Sequence, residues 1–254
     1  MYTKFSPEMK DTHLILVPSM LPIHFKFFVP VFAMNGYKLE ILETDNDNIR
    51  QQGLAHVHND MCYPALLVIG QFIDALKTGK YDLNHTALAL TQTAGGCRAS
   101  NYLALLRKAL QQEGWQHIPT ISFNFSGLEK DSGIELTLPL IMRLIYAALY
   151  GDALMWLKNQ VKPYEVNEGQ TDQVIDELVD EIVGLFEDGG YRKSKRIYKK
   201  MLDKMKSIPT IKEEKIRVGI VGEIYMKYSP LGNQNLEEYL IQEGFEPVLS
   251  GVMD

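Results

Sequence analysis

Cysteine is almost missing from this chain: 254 residues include only Cys62 and Cys97. That scarcity excludes a disulfide-stapled scaffold, and no Cys-x-x-Cys pair is present to suggest a structural zinc site. A Walker A loop with its lysine is also lacking, so P-loop nucleotide hydrolysis has no support. Excess positive charge is lacking too. With 26 Lys and Arg against 32 Asp and Glu, the formal charge is −6, which argues against a general nucleic-acid binder. The opening residues, Met1-Tyr2-Thr3-Lys4-Phe5-Ser6-Pro7, carry no apolar run of the secretory type. No stretch reads as the roughly 20 apolar residues of a membrane span. These absences predict a cytoplasmic chain without a membrane segment.

What is present is ordinary globular composition, 46% hydrophobic and 23% charged, in a chain long enough for one large domain or two modest ones. Residues 13–18 form an apolar run of strand character, a helix is predicted over 25–34, and residues 37–43 alternate like a second strand. This is a strand–helix–strand unit of the parallel type. A helix over 64–76, a strand over 86–90, a helix over 101–113 and a strand over 120–123 continue it. The pattern predicts a flavodoxin- or Rossmann-like α/β domain over residues 1–135. A helical segment over 136–208 follows, with an apolar helix over 138–157 broken near Gly151-Asp152. An acidic helix over 173–186 places Val174, Leu178, Ile182 and Leu185 on one face. A basic helix over 191–206 is expected to pack beside it, with its cations solvated opposite acidic neighbours. Residues 209–254 read as the beginning of a second, incomplete α/β domain: a linker, a buried strand over 216–223, a helix over 235–242 and a strand from 245. Its tail is expected to rest on the helical segment or pair with another chain.

Both cysteines lie in loops that lead into helices. Gly95-Gly96-Cys97-Arg98 precedes a helix start, where converging backbone amides and the helix dipole favour an anion and Arg98 adds charge. Such a setting favours a thiolate that acts as nucleophile or metal ligand rather than as core filling. Gly95 and Gly96 are expected to adopt backbone conformations that larger residues disfavour. The two thiols are expected at one cleft, since open parallel sheets gather their loops at the carboxyl ends of strands. His56 and His58, near Cys62, read as ordinary loop histidines rather than zinc ligands. The single Gly219-Ile220-Val221-Gly222 run lacks the glycine spacing of a dinucleotide fingerprint.

Three segments carry a resemblance: Asn59-Asp60-Met61-Cys62-Tyr63-Pro64-Ala65; Gly95-Gly96-Cys97-Arg98-Ala99-Ser100-Asn101-Tyr102; and Val218-Gly219-Ile220-Val221-Gly222-Glu223-Ile224-Tyr225 with Pro230-Leu231-Gly232-Asn233. Gly151-Asp152 and Lys162-Pro163-Tyr164-Glu165 are further landmarks. In these the chain resembles the N-terminal iron–sulfur-type region of the large activase-related proteins of the 2-hydroxyacyl-CoA dehydratase and benzoyl-CoA reductase group. The resemblance implies tandem α/β domains, a four-iron, four-sulfur cluster and one-electron chemistry on acyl-CoA thioesters. It implies Cys62 and Cys97 as metal ligands, with Gly95, Gly96, Arg98, Ser100 and Asn101 around the cofactor. The actin-like ATPase part of the larger proteins has no counterpart here, so the chain is not expected to be an ATP-driven activase by itself. The remaining cluster ligands would come from a missing C-terminal half, a partner subunit or non-cysteine groups. An acyl-CoA dehydratase or an ATP-dependent activase is the implied partner. Two other function classes stand beside this one: a non-redox α/β binding or assembly module, and a thiol-dependent enzyme using Cys97.

Overall fold

A computed structural model describes residues 2–92, 96–123 and 133–253 of the chain. The first elements are β1 (Leu14–Pro18), α1 (Pro22–Ala33), β2 (Lys38–Leu42), α2 (Asp47–His56) and α3 (Tyr63–Lys77). Then come β3 (Thr86–Thr91), α4 (Tyr102–Gln112), β4 (Thr120–Phe123) and the helices α5 (Leu138–Val161), α6 (Gln170–Glu187) and α7 (Ser194–Lys206). The last are β5 (Arg217–Gly219), α8 (Ile224–Tyr228), α9 (Pro230–Asn233), α10 (Leu236–Gln242) and β6 (Glu246–Val248). The chain forms two compact units, one of residues 1–20 and 36–136, the other of residues 21–35 and 137–254.

The first unit is built on a parallel sheet of order β2-β1-β3-β4. This is the order of a doubly wound, flavodoxin-like sheet, as the alternation of strand and helix patterns predicts. Ile15, Leu16, Ala87, Leu88, Ala89 and Ile121 have no exposed surface, the signature of strands covered on both faces. Helix α3 is buried at every position from Pro64 to Leu76, which explains its almost uninterrupted apolar sequence. It crosses α2 at glycines: a Cβ at Gly53 would overlap the Leu66 carbonyl, and one at Gly70 would overlap the Ile49 carbonyl. Only hydrogen side chains let the two backbones approach so closely. Two buried polar residues of α3 then tie down the loops above the sheet. Gln71 accepts from the Ser19 amide at 3.2 Å and donates to the Leu42 and Thr44 carbonyls at 2.9 and 3.1 Å. Asp74 accepts from Asn46 at 3.1 Å and from Asn48.

The second unit packs α1, α6 and α7 around the long helix α5. Its core includes Phe27, Tyr150, Leu154, Leu178, Phe186 and Met201, all without exposed surface. Strands β5 and β6 pair in parallel as a separate two-stranded sheet that contacts α5. Lys158 of α5 bonds Glu237 and Glu238 of α10 at 2.8 Å each, and Lys162 bonds Glu238 at 2.7 Å and Asp172 at 2.8 Å. The two carboxylates hold the Lys158 ammonium above its ordinary range although burial opposes the charge. The expected support of the tail by the helical segment is therefore present as packing on α5 and an ion network.

Several local expectations change. Helix α2 goes unread in the sequence because its apolar residues are few: Ile49, Gly53 and His56 are its buried positions. Helix α5 runs unbroken through Gly151, where a larger residue would overlap the His24 ring. Over 138–164 it is long and apolar enough to cross a membrane by length and composition, with mean hydropathy 1.4, so one such stretch exists among the described residues. On α6 the buried face is Thr171, Ile175, Leu178, Val179, Ile182 and Phe186, whereas Val174 and Leu185 are half-buried. Strand β5 is three residues long and largely exposed, with Ile216 and Val221 71% and 89% exposed on either side of it.

Candidate functional site

Cys62 is the N-cap of α3, with an extended backbone (φ −64°, ψ 147°), and Pro64 in the first turn fixes the helix start there. Cys97 is the N-cap of a 3-10 turn, Arg98–Asn101, that runs directly into α4. Its Sγ accepts from the Ala99 amide at 3.4 Å, so the sulfur itself takes the capping position usually filled by a hydroxyl or carboxylate. Both thiols are free; Cys62 is half-buried and Cys97 exposed.

The two loops meet. Arg98 donates to the carbonyl oxygen of Asp60, two residues before Cys62. The Cys62 Sγ lies 3.2 Å from the hydroxyl of Tyr102, in the first turn of α4. Ser100 secures the second loop from inside, its hydroxyl donating to the Cys97 carbonyl at 2.8 Å. Gln92, just beyond β3, donates to the Ser100 carbonyl at 2.8 Å and accepts from Ser122 of β4. The sheet thereby fixes the Cys97 turn through Gln92, while Gln71 and Asp74 anchor α3, the helix that Cys62 caps, to the loops after β1 and β2. Thiol sulfurs at helix starts, with an arginine between their loops, suit a bound anion or a soft metal.

The other expected residues fare differently. Gly96 has open space around its Cα and lies outside the left-handed backbone region, so its surroundings do not demand glycine, contrary to the sequence expectation. Gly95 lies outside the described residues. Asn101 is exposed and makes no side-chain cap bond to α4. His56 is no loop residue: it ends α2, buried, with Nε2 2.6 Å from Glu113 and Nδ1 2.7 Å from the Gln52 carbonyl. Glu113 also bonds Lys77 at 2.7 Å, and that ammonium first, then His56, holds its carboxyl below the ordinary range against the cost of burial. His58 is exposed and 3.3 Å from Asp60. Among the described residues no three His, Cys, Asp or Glu side chains converge as a metal site.

Sequence reasoning passed over Tyr102 and Gln92. Tyr102 closes the quoted motif, but its approach to Cys62 depends on a contact 40 positions away in sequence. A second buried constellation also went unread, in the second unit. His24 of α1, 1% exposed, lies with Nε2 2.8 Å from Asp152 of α5, and Asp152 also accepts from the amides of Val252 and Met253 at 2.8 and 2.9 Å. Burial raises the Asp152 carboxyl, but the bonds from His24 and the two amides outweigh it and leave a net lowering. Asp152 thus ties α1 and residues 252–253 to its own helix α5, three segments of one unit, which makes it a structural clamp.

Comparison with protein-family models, with curated proteins and with solved structures gave no match.

Proposed function

We propose that the chain is a cytoplasmic iron–sulfur component of the 2-hydroxyacyl-CoA dehydratase and activase type, in which Cys62 and Cys97 are two thiolate ligands of a four-iron, four-sulfur cluster. One observation carries this reading: two cysteines 35 positions apart in sequence cap neighbouring turns joined by Arg98 to Asp60 and by Tyr102 to Cys62. The motif resemblance of the same two turns supports it. The fit is to two of the four thiolate positions such a cluster takes. Under this reading the other ligands would come from a partner subunit, a further segment or non-cysteine groups. When bound, the cluster would supply one-electron transfer. This chain's own part is then to present two sulfurs from fixed turns, with the Tyr102 hydroxyl and the Ala99 amide beside them.

The absence of a third converging ligand among the described residues favours a second reading, a non-redox α/β binding or assembly module. An absorption spectrum of protein purified without oxygen, with iron and sulfide analysis, separates the two. Iron and sulfide in equal amounts, lost from Cys62→Ser/Cys97→Ser, support the cluster. Protein that takes up neither after anaerobic reconstitution with a cell extract supports the module.

A further inference from the structure

The sequence reading assigns the cations of α7 to a solvated face opposite acidic neighbours, and the structure divides that helix into three faces. Ile197, Met201 and Met205 are buried in the core. Lys200 and Lys204 face α6, paired with Glu181 and with Glu177 and Glu181. The remaining face carries Lys195, Arg196, Lys199 and Lys206, with Arg192 in the 3-10 turn just ahead, and all five are exposed. None of these five has a carboxylate partner among the described residues, and Arg192 instead lies over the ring of Tyr191. Lys195 and Arg196 lie three and four residues after Arg192, Lys199 lies four after Lys195 and three after Arg196, and Lys206 lies seven after Lys199, spacings that put the five on one stripe. Leu202, 40% exposed, and Asp203 occupy its gap.

We propose that this stripe is a docking surface for an acidic protein helix, one that presents carboxylates at three- to four-residue spacing. Five cations without a carboxylate partner among the described residues, four on α7 and one in the turn ahead of it, in a chain whose net charge is −6, are a local reversal of the protein's field. A single-stranded nucleic acid fits less well, since Tyr198 is turned toward Tyr150 and the stripe offers no exposed ring for base stacking, and a duplex, which needs only phosphate contacts, is set against the peptide in the test below. A lipid surface fits less well too. A membrane-lying helix needs its apolar face free, and here that face is the core. Charge matching of this kind mainly sets encounter rate and partner choice, and it weakens with salt. The inference is independent of any cluster at the cysteines.

The test uses the full chain and a fluorescein-labelled helical peptide with glutamates at i, i+4 and i+7, read by anisotropy in low and moderate salt. Two charge-reversal pairs give the contrast: Lys195→Glu/Lys199→Glu within the stripe, and Lys108→Glu/Lys212→Glu, two exposed lysines elsewhere. Both pairs change net charge equally. The expected result is saturable binding at low salt that falls by about tenfold with the stripe pair and less than about twofold with the distant pair. Equal effects from the two pairs, no saturable binding, or tighter binding to a DNA duplex or a phosphatidylserine vesicle than to the peptide would overturn the proposal.

Discussion

Gly70, inside α3, and Gly96, next to Cys97, are both glycines of the first unit, and their roles are opposite. Gly70 sits where a Cβ would strike the Ile49 carbonyl, whereas Gly96 faces open space. Gly70→Ala is expected to cost about 1–3 kcal/mol by overpacking the α2–α3 crossing, and Gly96→Ala well under 1 kcal/mol. Urea denaturation of the two variants measures this; equal losses would mean that the α2–α3 approach is not glycine-limited. The cysteines differ in the same way. Cys97 is exposed and Cys62 half-buried against Tyr102. Native protein without metal is expected to lose its Cys97 thiol to a maleimide before its Cys62 thiol, read by peptide mass mapping. What the sequence made legible here was the pair of motifs. A cysteine before a proline-started helix and a cysteine in a glycine-rich turn can each be recognised from neighbours in the chain. The contact of Cys62 with Tyr102, and the role of Gln92, arise only when distant segments fold together.

Helix α5 shows what periodicity misses. Gly151-Asp152 looks like a break because glycine weakens helices and aspartate rarely sits amid apolar residues. In the fold Gly151 makes room for the His24 ring, and Asp152 receives His24, Val252 and Met253. The strand–helix alternation of the first unit was legible because apolar runs of strand length are buried on both faces. Strand β5 was legible as a strand but shorter and more exposed than expected, and the helices α8 and α9 were not legible, since too few residues repeat to set a period. The clamp has a pH signature. The Asp152 carboxyl is lowered on folding, so its contribution is complete above the unfolded value of about 3.9 and is lost as pH falls through the folded value. Asp152→Asn should therefore reduce stability at neutral pH by about 1.5–3 kcal/mol, with the deficit against wild type shrinking in strong acid. Hydrogen exchange at the Val252 and Met253 amides should accelerate in the same variant. A deficit that stays constant from neutral pH to pH 2 would remove the clamp.

The connectivity of the whole chain is less regular than its sequence suggests. Residues 21–35 lie between β1 and β2 in sequence but belong to the second compact unit, where α1 packs on α5 and α6. Ile23, His24, Phe27, Val31 and Phe32 of α1 are buried. A fragment of residues 137–254 should consequently lack a cooperative unfolding transition, because α5 loses the helix that covers it. Addition of a peptide of residues 21–35 should restore the transition; a fragment that unfolds cooperatively alone would contradict this. The sequence reading divided the chain at 135 and 208 because composition changes there, and composition cannot reveal that an early helix is donated to a later core. The same property separates the two cysteine turns, in the first unit, from the clamp and the basic stripe, in the second.

The central claim, that Cys62 and Cys97 are ligands of one cluster, is most directly tested by electron paramagnetic resonance of the reduced protein after anaerobic purification. Wild type, Cys62→Ser and Cys97→Ser would be compared at matched iron content. The account predicts an iron–sulfur signal in wild type that is altered or lost in each single variant, since both sulfurs would bind the same iron group. A silent wild-type spectrum, or a variant indistinguishable from wild type, would contradict it.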